Sequence, residues 1–175
     1  ELDEYEQAVT LFSRAEESGY DDATLFYNRG NALYAMERFD AAVQAYREAV
    51  ERSPEDPEIL NNLGKALIAV ERYDEAEEHL RRAADVDASY PDPVYHLAVV
   101  LRERGDEETA AETLTEAIAR DETFVQAFHL RGVLRYRLGR YDEATADFLE
   151  AHRLEPEDDD ILYNLGLSAV AAATG

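Results

Sequence analysis

Five positions at a constant step of 34 residues hold Asn28, Asn62, His96, Leu130 and Asn164. An asparagine side chain offers a donor and an acceptor together, which matches a peptide backbone amide whatever side chains that peptide carries. The column reads equally well as an ordinary exposed polar stripe. Tyr27, Tyr95 and Tyr163 recur at twice that step, and a tyrosine can anchor a ligand with its ring while its hydroxyl stays wet. Packing against an adjacent helix is the competing role. His96 and His129 raise a metal-binding or pH-sensitive pair, but without a third ligand they read better as ordinary polar residues. Arg131, Arg135, Arg137 and Arg140 form the most basic stretch. It could receive an acidic motif, yet the surrounding carboxylates make pairing within the chain the simpler expectation. Glu155 to Asp160, "EPEDDD", lacks the spaced ligands and glycine of a calcium loop and reads as a solvated helix start. There is no phosphate-binding glycine loop and no strand–turn–helix context for a nucleophile. Carboxylates at this density carry no catalytic signal. The expectation is non-covalent binding, with no enzymatic activity and no metal or cofactor.

The elements that carry these residues follow from the same period. Ala8, Ala42, Ala76, Ala110 and Ala144 keep the 34-residue step, as do Ala15, Ala49, Ala83, Ala117 and Ala151. Phe12, Tyr46, Leu80, Leu114 and Phe148 form a large-residue column. Gly30, Gly64, Gly132 and Gly166 form a small one, with Ala98 in the remaining slot. Tyr5, Phe39, Tyr73 and Tyr141 make a fourth column, broken by Glu107. Each period contains two helical patterns. In "PEILNNLGKALIAV", Leu60, Gly64 and Leu67 lie on one stripe; in "YDEAEEHLRRAADV", Tyr73, Ala76, Leu80 and Ala83 do. Asp56-Pro57 reads as an N-cap followed by proline in the first turn. "GDEE" and "GRYDE" read as short connections with acids opening the next helix. Nothing reads as strand. Glycine and alanine let two helix backbones approach while larger side chains fill the space beside them. A single hairpin cannot bury both of its faces, so such hairpins must stack.

This pattern resembles the tetratricopeptide repeat (TPR), with its Leu-Gly, Tyr, Ala, aromatic, Ala and closing Pro over 34 residues. Residues 57–90 supply Leu63, Gly64, Tyr73, Ala76, Leu80 and Ala83. Residues 125–158 supply Phe128, Gly132, Tyr141, Ala144, Phe148, Ala151 and Pro156. Residues 23–56 match as well, and residues 91–124 diverge most, at Ala98 and Glu107. The resemblance implies an all-α fold, a right-handed α-α superhelix (solenoid) of stacked TPR hairpins forming one domain over 1–175. The expected repeats are 23–56, 57–90, 91–124 and 125–158. Residues 1–22 would be the second helix of a partial repeat and 159–175 the first helix of another, as in a fragment of a longer array.

The resemblance also implies that the first helix of each hairpin lines a concave groove. That places Tyr27, Asn28 and Asn31, then Asn61, Asn62 and Lys65, then Tyr95, His96 and Val99 there. His129, Leu130 and Val133, and Tyr163, Asn164 and Leu167, complete the set. The family's carboxylate clamp for chaperone C-termini is not expected, because its cation positions fall on Tyr27, Asp92 and His96 and Asp92 would repel a terminal carboxylate. The expected function is a protein-interaction scaffold that binds a peptide or partner protein in the groove. The alternatives are a substrate-recruiting arm of a larger enzyme, such as a glycosyl- or methyltransferase, and a self-assembling scaffold whose terminal hairpins expose apolar faces.

Composition narrows the partners. Seventeen basic against forty acidic residues give a formal net charge of -23. A surface this negative repels nucleic acid and anionic membranes, which also argues against an RNA-reading helical repeat. No stretch approaches the roughly 18 apolar residues a membrane-spanning helix needs. Cysteine is absent, which excludes disulfides and thiolate chemistry and fits a cytoplasmic setting. Lys65 is the only lysine. Few lysines and many carboxylates point to a salt-loving source, where concentrated salt screens self-repulsion.

Overall fold

The computed structural model of the chain describes residues 2–174. They form α1 (Leu2–Glu17), α2 (Ala23–Ala35), α3 (Phe39–Arg52), α4 (Pro57–Ala69), α5 (Tyr73–Val86), α6 (Asp92–Glu103), α7 (Glu107–Arg120), α8 (Val125–Arg137), α9 (Tyr141–Leu154) and α10 (Asp159–Thr174), with no strand among the described residues. The class is all-α, as the periodicity predicts.

Local chemistry starts and stops these helices. Asp56 accepts from the backbone N–H of Glu58 (3.0 Å) and Ile59 (3.1 Å), with Pro57 in the first turn of α4. Asp22 caps α2 through Thr24 N–H at 2.7 Å, and hydrogen bonding by the Thr24 side chain, then by its N–H, holds the Asp22 carboxyl below the usual range. Asp106 caps α7 through Thr109 (3.2 Å), and Asp158 accepts from Ile161 N–H (3.0 Å). The "EPEDDD" stretch is thus a capped helix start. Within each hairpin the chain reverses through one left-handed residue, and these residues keep the repeat step: Glu37 (φ 57°), Glu71 (φ 60°), Gly105 (φ 82°) and Gly139 (φ 76°). Two of the four turns use glycine, which adopts this conformation freely. The other two hold glutamate there against a steric cost.

The small-residue column is the hairpin crossing. A Cβ added to Gly30 would lie 2.5 Å from the Tyr46 ring, one on Gly64 2.5 Å from Leu80 Cγ, and one on Gly132 2.8 Å from the Phe148 ring. The large column therefore sits directly over the small one. Ala42, Ala49, Ala76, Ala83, Ala144 and Ala151 are fully enclosed beside it. Complete burial of one Leu or Phe side chain contributes roughly 1.5–3 kcal/mol, so these crossings hold much of each hairpin's stability.

The helices gather into two compact units, Glu1–Asp87 and Ala88–Gly175. In the first, α1 packs on α2, α2 on α3, α3 on α4 and α4 on α5. Leu25, Phe26, Ala49 and Ile59 form a core there, with Phe12 and Ala15 of α1 against it. In the second, α6 packs on α7, α7 on α8, α8 on α9 and α9 on α10. Phe128, Ala151 and Ile161 form a core there, with Ile118 and Leu154 against it.

Candidate functional site

In the first unit, α2 and α4 carry a connected polar network. Tyr27 Oη donates to Glu58 Oε1 at 2.6 Å. Asn62 Nδ2 donates to Tyr27 Oη (3.1 Å) and to Asn31 Oδ1 (3.3 Å). Tyr46 Oη also donates to Asn31 Oδ1, at 2.7 Å. The network orients both amides. Asn31 Oδ1 takes two donors, which directs its NH2 group away from them; both bonds from Asn62 leave through its NH2 group, which leaves its Oδ1 as an acceptor. The amides of α2 and α4 are thus bonded to each other, and an amide carries both the donor and the acceptor that a backbone amide requires. Burial and the bond to Glu58 raise the Tyr27 pKa above its ordinary value, and burial raises that of Tyr46. Both phenols hold their protons at neutral pH.

Asn28 is exposed beside this network, and so is Lys65, whose ammonium lies 4.6 Å from the centre of the Tyr34 ring. Asn61 differs from expectation. It is buried at 3% exposure and presents nothing to a ligand. It shares its repeat position with the partly buried Tyr27 and Tyr95, and a side chain shorter than tyrosine does not reach out of that position.

The second unit places its candidates in smaller groups. Tyr95 packs against His96 and Phe124, each ring centre at 5.4 Å. Burial raises its pKa. His129 Nε2 lies 3.0 Å from Asn164 Nδ2, so the amide donates when the imidazole proton is on Nδ1. The His129 ring also packs on Phe148 at 5.8 Å. Leu130 is buried, which interrupts any polar column. Tyr163 is 67% exposed on α10. Among the described residues, no group of three or more His, Asp or Glu side chains is placed to hold a metal ion.

The arginine stretch is paired within the chain. Arg131 donates from Nε and Nη2 to the buried Asp147 carboxylate (2.6–3.2 Å) and from Nη1 to Thr115 Oγ1 (3.0 Å). Arg135 Nη1 reaches the same carboxylate at 2.7 Å. Arg137 pairs with Glu107, and Arg140 with Glu108 and Glu143. The bond from Arg140 holds the Glu143 carboxyl below its ordinary range. The pairings of Arg131 and Arg135 with one enclosed carboxylate are structural, and Asp147 itself gives no periodic signal. Tyr46 is the contributor to the polar network that periodicity hides, because its column is otherwise apolar. Its hydroxyl was the available clue, since a buried tyrosine normally finds a polar partner.

Residues 30–70 and 134–170 match the family profile described as TPR repeat, and residues 55–123 match a second described as Tetratricopeptide repeat. The chain belongs to the tetratricopeptide-repeat family. No curated protein matches this TPR chain in sequence. Among solved structures it is similar to TTC0263, a thermophilic TPR protein of Thermus thermophilus, with a TM-score of 0.78 and 22% identity over 95% of this chain and 91% of that one. It is similar to YrrB, described as a TPR protein with an unusual peptide-binding site: TM-score 0.68, 24% identity, 93% of this chain and 84% of that one. It also resembles the first TPR of Spaghetti (RPAP3) bound to an HSP90 peptide: TM-score 0.64, 23% identity, 67% of this chain and 95% of that one. At these identities the likeness establishes the TPR fold, not a ligand.

Proposed function

We propose that the protein is an interaction scaffold that binds an extended peptide segment of a partner protein along the first helices of its hairpins. The observation that carries this reading is the bonded amide pair on α2 and α4, in which Asn62 Nδ2 donates to Asn31 Oδ1. Such a pair recognises main chain and leaves side-chain specificity to its surroundings, here Tyr27, Asn28 and Lys65. Two of the similar solved structures are described by the peptides they bind or the site that binds them, which agrees with the same use of the fold here. The neutral Tyr27 hydroxyl fixes the Asn62 amide, so the site needs no reorganisation of the free protein to accept a peptide amide.

The test is an affinity capture at high salt from lysate of the source organism. It compares the wild-type chain with an Asn28→Ala, Asn62→Ala, Asn164→Ala variant shown by circular dichroism to be folded. The proposal expects a partner that wild type retains and the variant loses. A partner retained equally by both would place the binding surface elsewhere.

A further inference from the structure

In the second unit, Val133, Tyr136 and Arg137 of α8, Phe148 of α9, and Asn164 and Leu167 of α10 line a narrow cleft of about 60 Å³. Three repeat steps earlier, the same six positions are Asn31, Tyr34, Ala35, Tyr46, Asn62 and Lys65. They are the positions of the first unit's polar network. There the side chains bond to one another across the space: Tyr46 and Asn62 donate to Asn31, and the Lys65 ammonium lies 4.6 Å from the Tyr34 ring centre. In the second unit Phe148 has no hydroxyl, Val133 has no amide and Leu167 has no charge. The asparagine alone is kept, and a cleft remains. These positions stay open beside a complete hairpin. In the first unit α5 packs on α4, yet Asn62 is only half-buried and Lys65 is exposed.

The lining decides what the cleft accepts. Val133, Leu167 and the rings of Tyr136 and Phe148 make apolar walls. The Arg137 guanidinium is paired with Glu107, so Arg137 offers its alkyl stem and no unspent charge. No carboxylate lines the cleft, and α8 carries no acidic residue. A charged side chain entering here would shed water without gaining a counter-ion, so the complementary side chain is uncharged. Size narrows it further. An apolar cavity of about 150 Å³ holds a benzene ring, so about 60 Å³ takes a side chain of about two or three carbons and refuses an aromatic one. One polar group stands at the cleft. The Asn164 amide lies 3.0 Å from His129 Nε2 through one of its ends. Whichever end faces the imidazole, the other is left for a peptide backbone.

We propose that this cleft is a specificity site for a short aliphatic residue, valine, in a peptide segment bound across α8 and α10. The isopropyl group enters between Val133, Tyr136, Phe148 and Leu167, and the Asn164 amide bonds the main chain beside it. The inference rests on the peptide-binding reading above and deepens it. The same asparagine position meets main chain in both units, while the residues around it set different side-chain preferences: polar beside Asn62, aliphatic beside Asn164. Selection in the second unit is by shape and apolar contact, with no ion pair in it.

Nuclear magnetic resonance of the isotope-labelled chain tests this with three capped tripeptides, each with glycine at both ends and valine, glycine or phenylalanine in the middle. The valine peptide should move the methyl signals of Val133 and Leu167 and the side-chain NH2 signal of Asn164. Its affinity there should exceed the glycine peptide's by roughly tenfold, the effect of burying one such side chain. The phenylalanine peptide should do no better than glycine. All three should move the NH2 signals of Asn31 and Asn62, which report main-chain recognition in the first unit. Leu167→Lys places at the cleft the residue type that lies over a tyrosine ring in the first unit. That variant, shown by circular dichroism to be folded, should lose the preference for valine. Equal responses to valine and glycine at Val133 and Leu167, with Asn31 and Asn62 responding, overturn the cleft and leave the main-chain reading standing. A valine response at the cleft with Asn31 and Asn62 silent supports the cleft and removes that reading. Silence at both places overturns both, and a preference for phenylalanine, or one that survives Leu167→Lys, overturns the cleft.

Discussion

Replacing Asp147 by alanine removes the acceptor shared by two guanidinium groups. Asp147 is 3% exposed, and the side chains of Arg131 and Arg135 are 11% and 17% exposed. Four donor–acceptor contacts of 2.6–3.2 Å are lost at once, and two cations remain in a poorly hydrated space. Arg135 Nε is already buried without a partner; what remains is Thr115 Oγ1 for Arg131, at 3.0 Å, and for Arg135 the 46% exposed Glu143 carboxylate, at 3.4 Å. Breaking a buried pair this way costs about 3–5 kcal/mol. For a unit of this size, that lowers the thermal midpoint by roughly 10 °C or more. The assay is thermal unfolding followed by circular dichroism at two salt concentrations, with the transition of the Ala88–Gly175 unit resolved. The loss should change little with salt, because a buried pair is poorly screened. Adding Arg131→Met and Arg135→Leu to Asp147→Ala should recover most of it, since the penalty comes from uncompensated charge. A loss under about 1 kcal/mol, or no recovery in the triple variant, would refute the view that this cluster is a buried structural device.

Glu37→Gly and Glu71→Gly should each stabilise by about 1 kcal/mol, because both glutamates hold the left-handed conformation that Gly105 and Gly139 hold freely; urea unfolding of each variant measures this, and destabilisation would contradict it. The net charge of -23 should make the thermal midpoint rise steeply from millimolar to molar salt, as the screening length falls from about 30 Å to about 3 Å; a flat response would remove the salt-adaptation proposal. Burial lowers the His79 pKa below its ordinary 6.5, and its Nδ1 is buried without a partner. The unfolded chain therefore binds this proton more readily, so His79 costs stability as pH falls through 6.5. His79→Gln should shallow the decline of the midpoint between neutral and mildly acid pH, and an unchanged slope would show that other groups set it.

The fold was legible because its determinants recur. Glycine under a large side chain, alanine beside it and an acid at the helix start each appear several times in phase, so periodicity gives the class and most helix positions. What does not recur was not legible. Asp147 shares its column with Leu11, Ala45, His79 and Thr113, so nothing in the repeat marks it as the partner of two arginines. Glu37 and Glu71 do recur, but glutamate gives no sign of left-handed backbone. In the candidate site, Tyr27, Asn31 and Asn62 were visible as a shared helix face. Their bonding order was not, since it depends on a hydroxyl from Tyr46 in the apolar column. Asn61 was misplaced because helical spacing gives direction, while the depth of the neighbouring side chains decides exposure.

The most direct measurement is hydrogen exchange on the wild-type chain with and without the captured partner. The account predicts protection concentrated on α2 and α4, with its largest part at the turns carrying Asn28, Asn31 and Asn62, and loss of that protection in the Asn62→Ala variant. Protection confined to α3 and α5, with α2 and α4 unchanged, would contradict it.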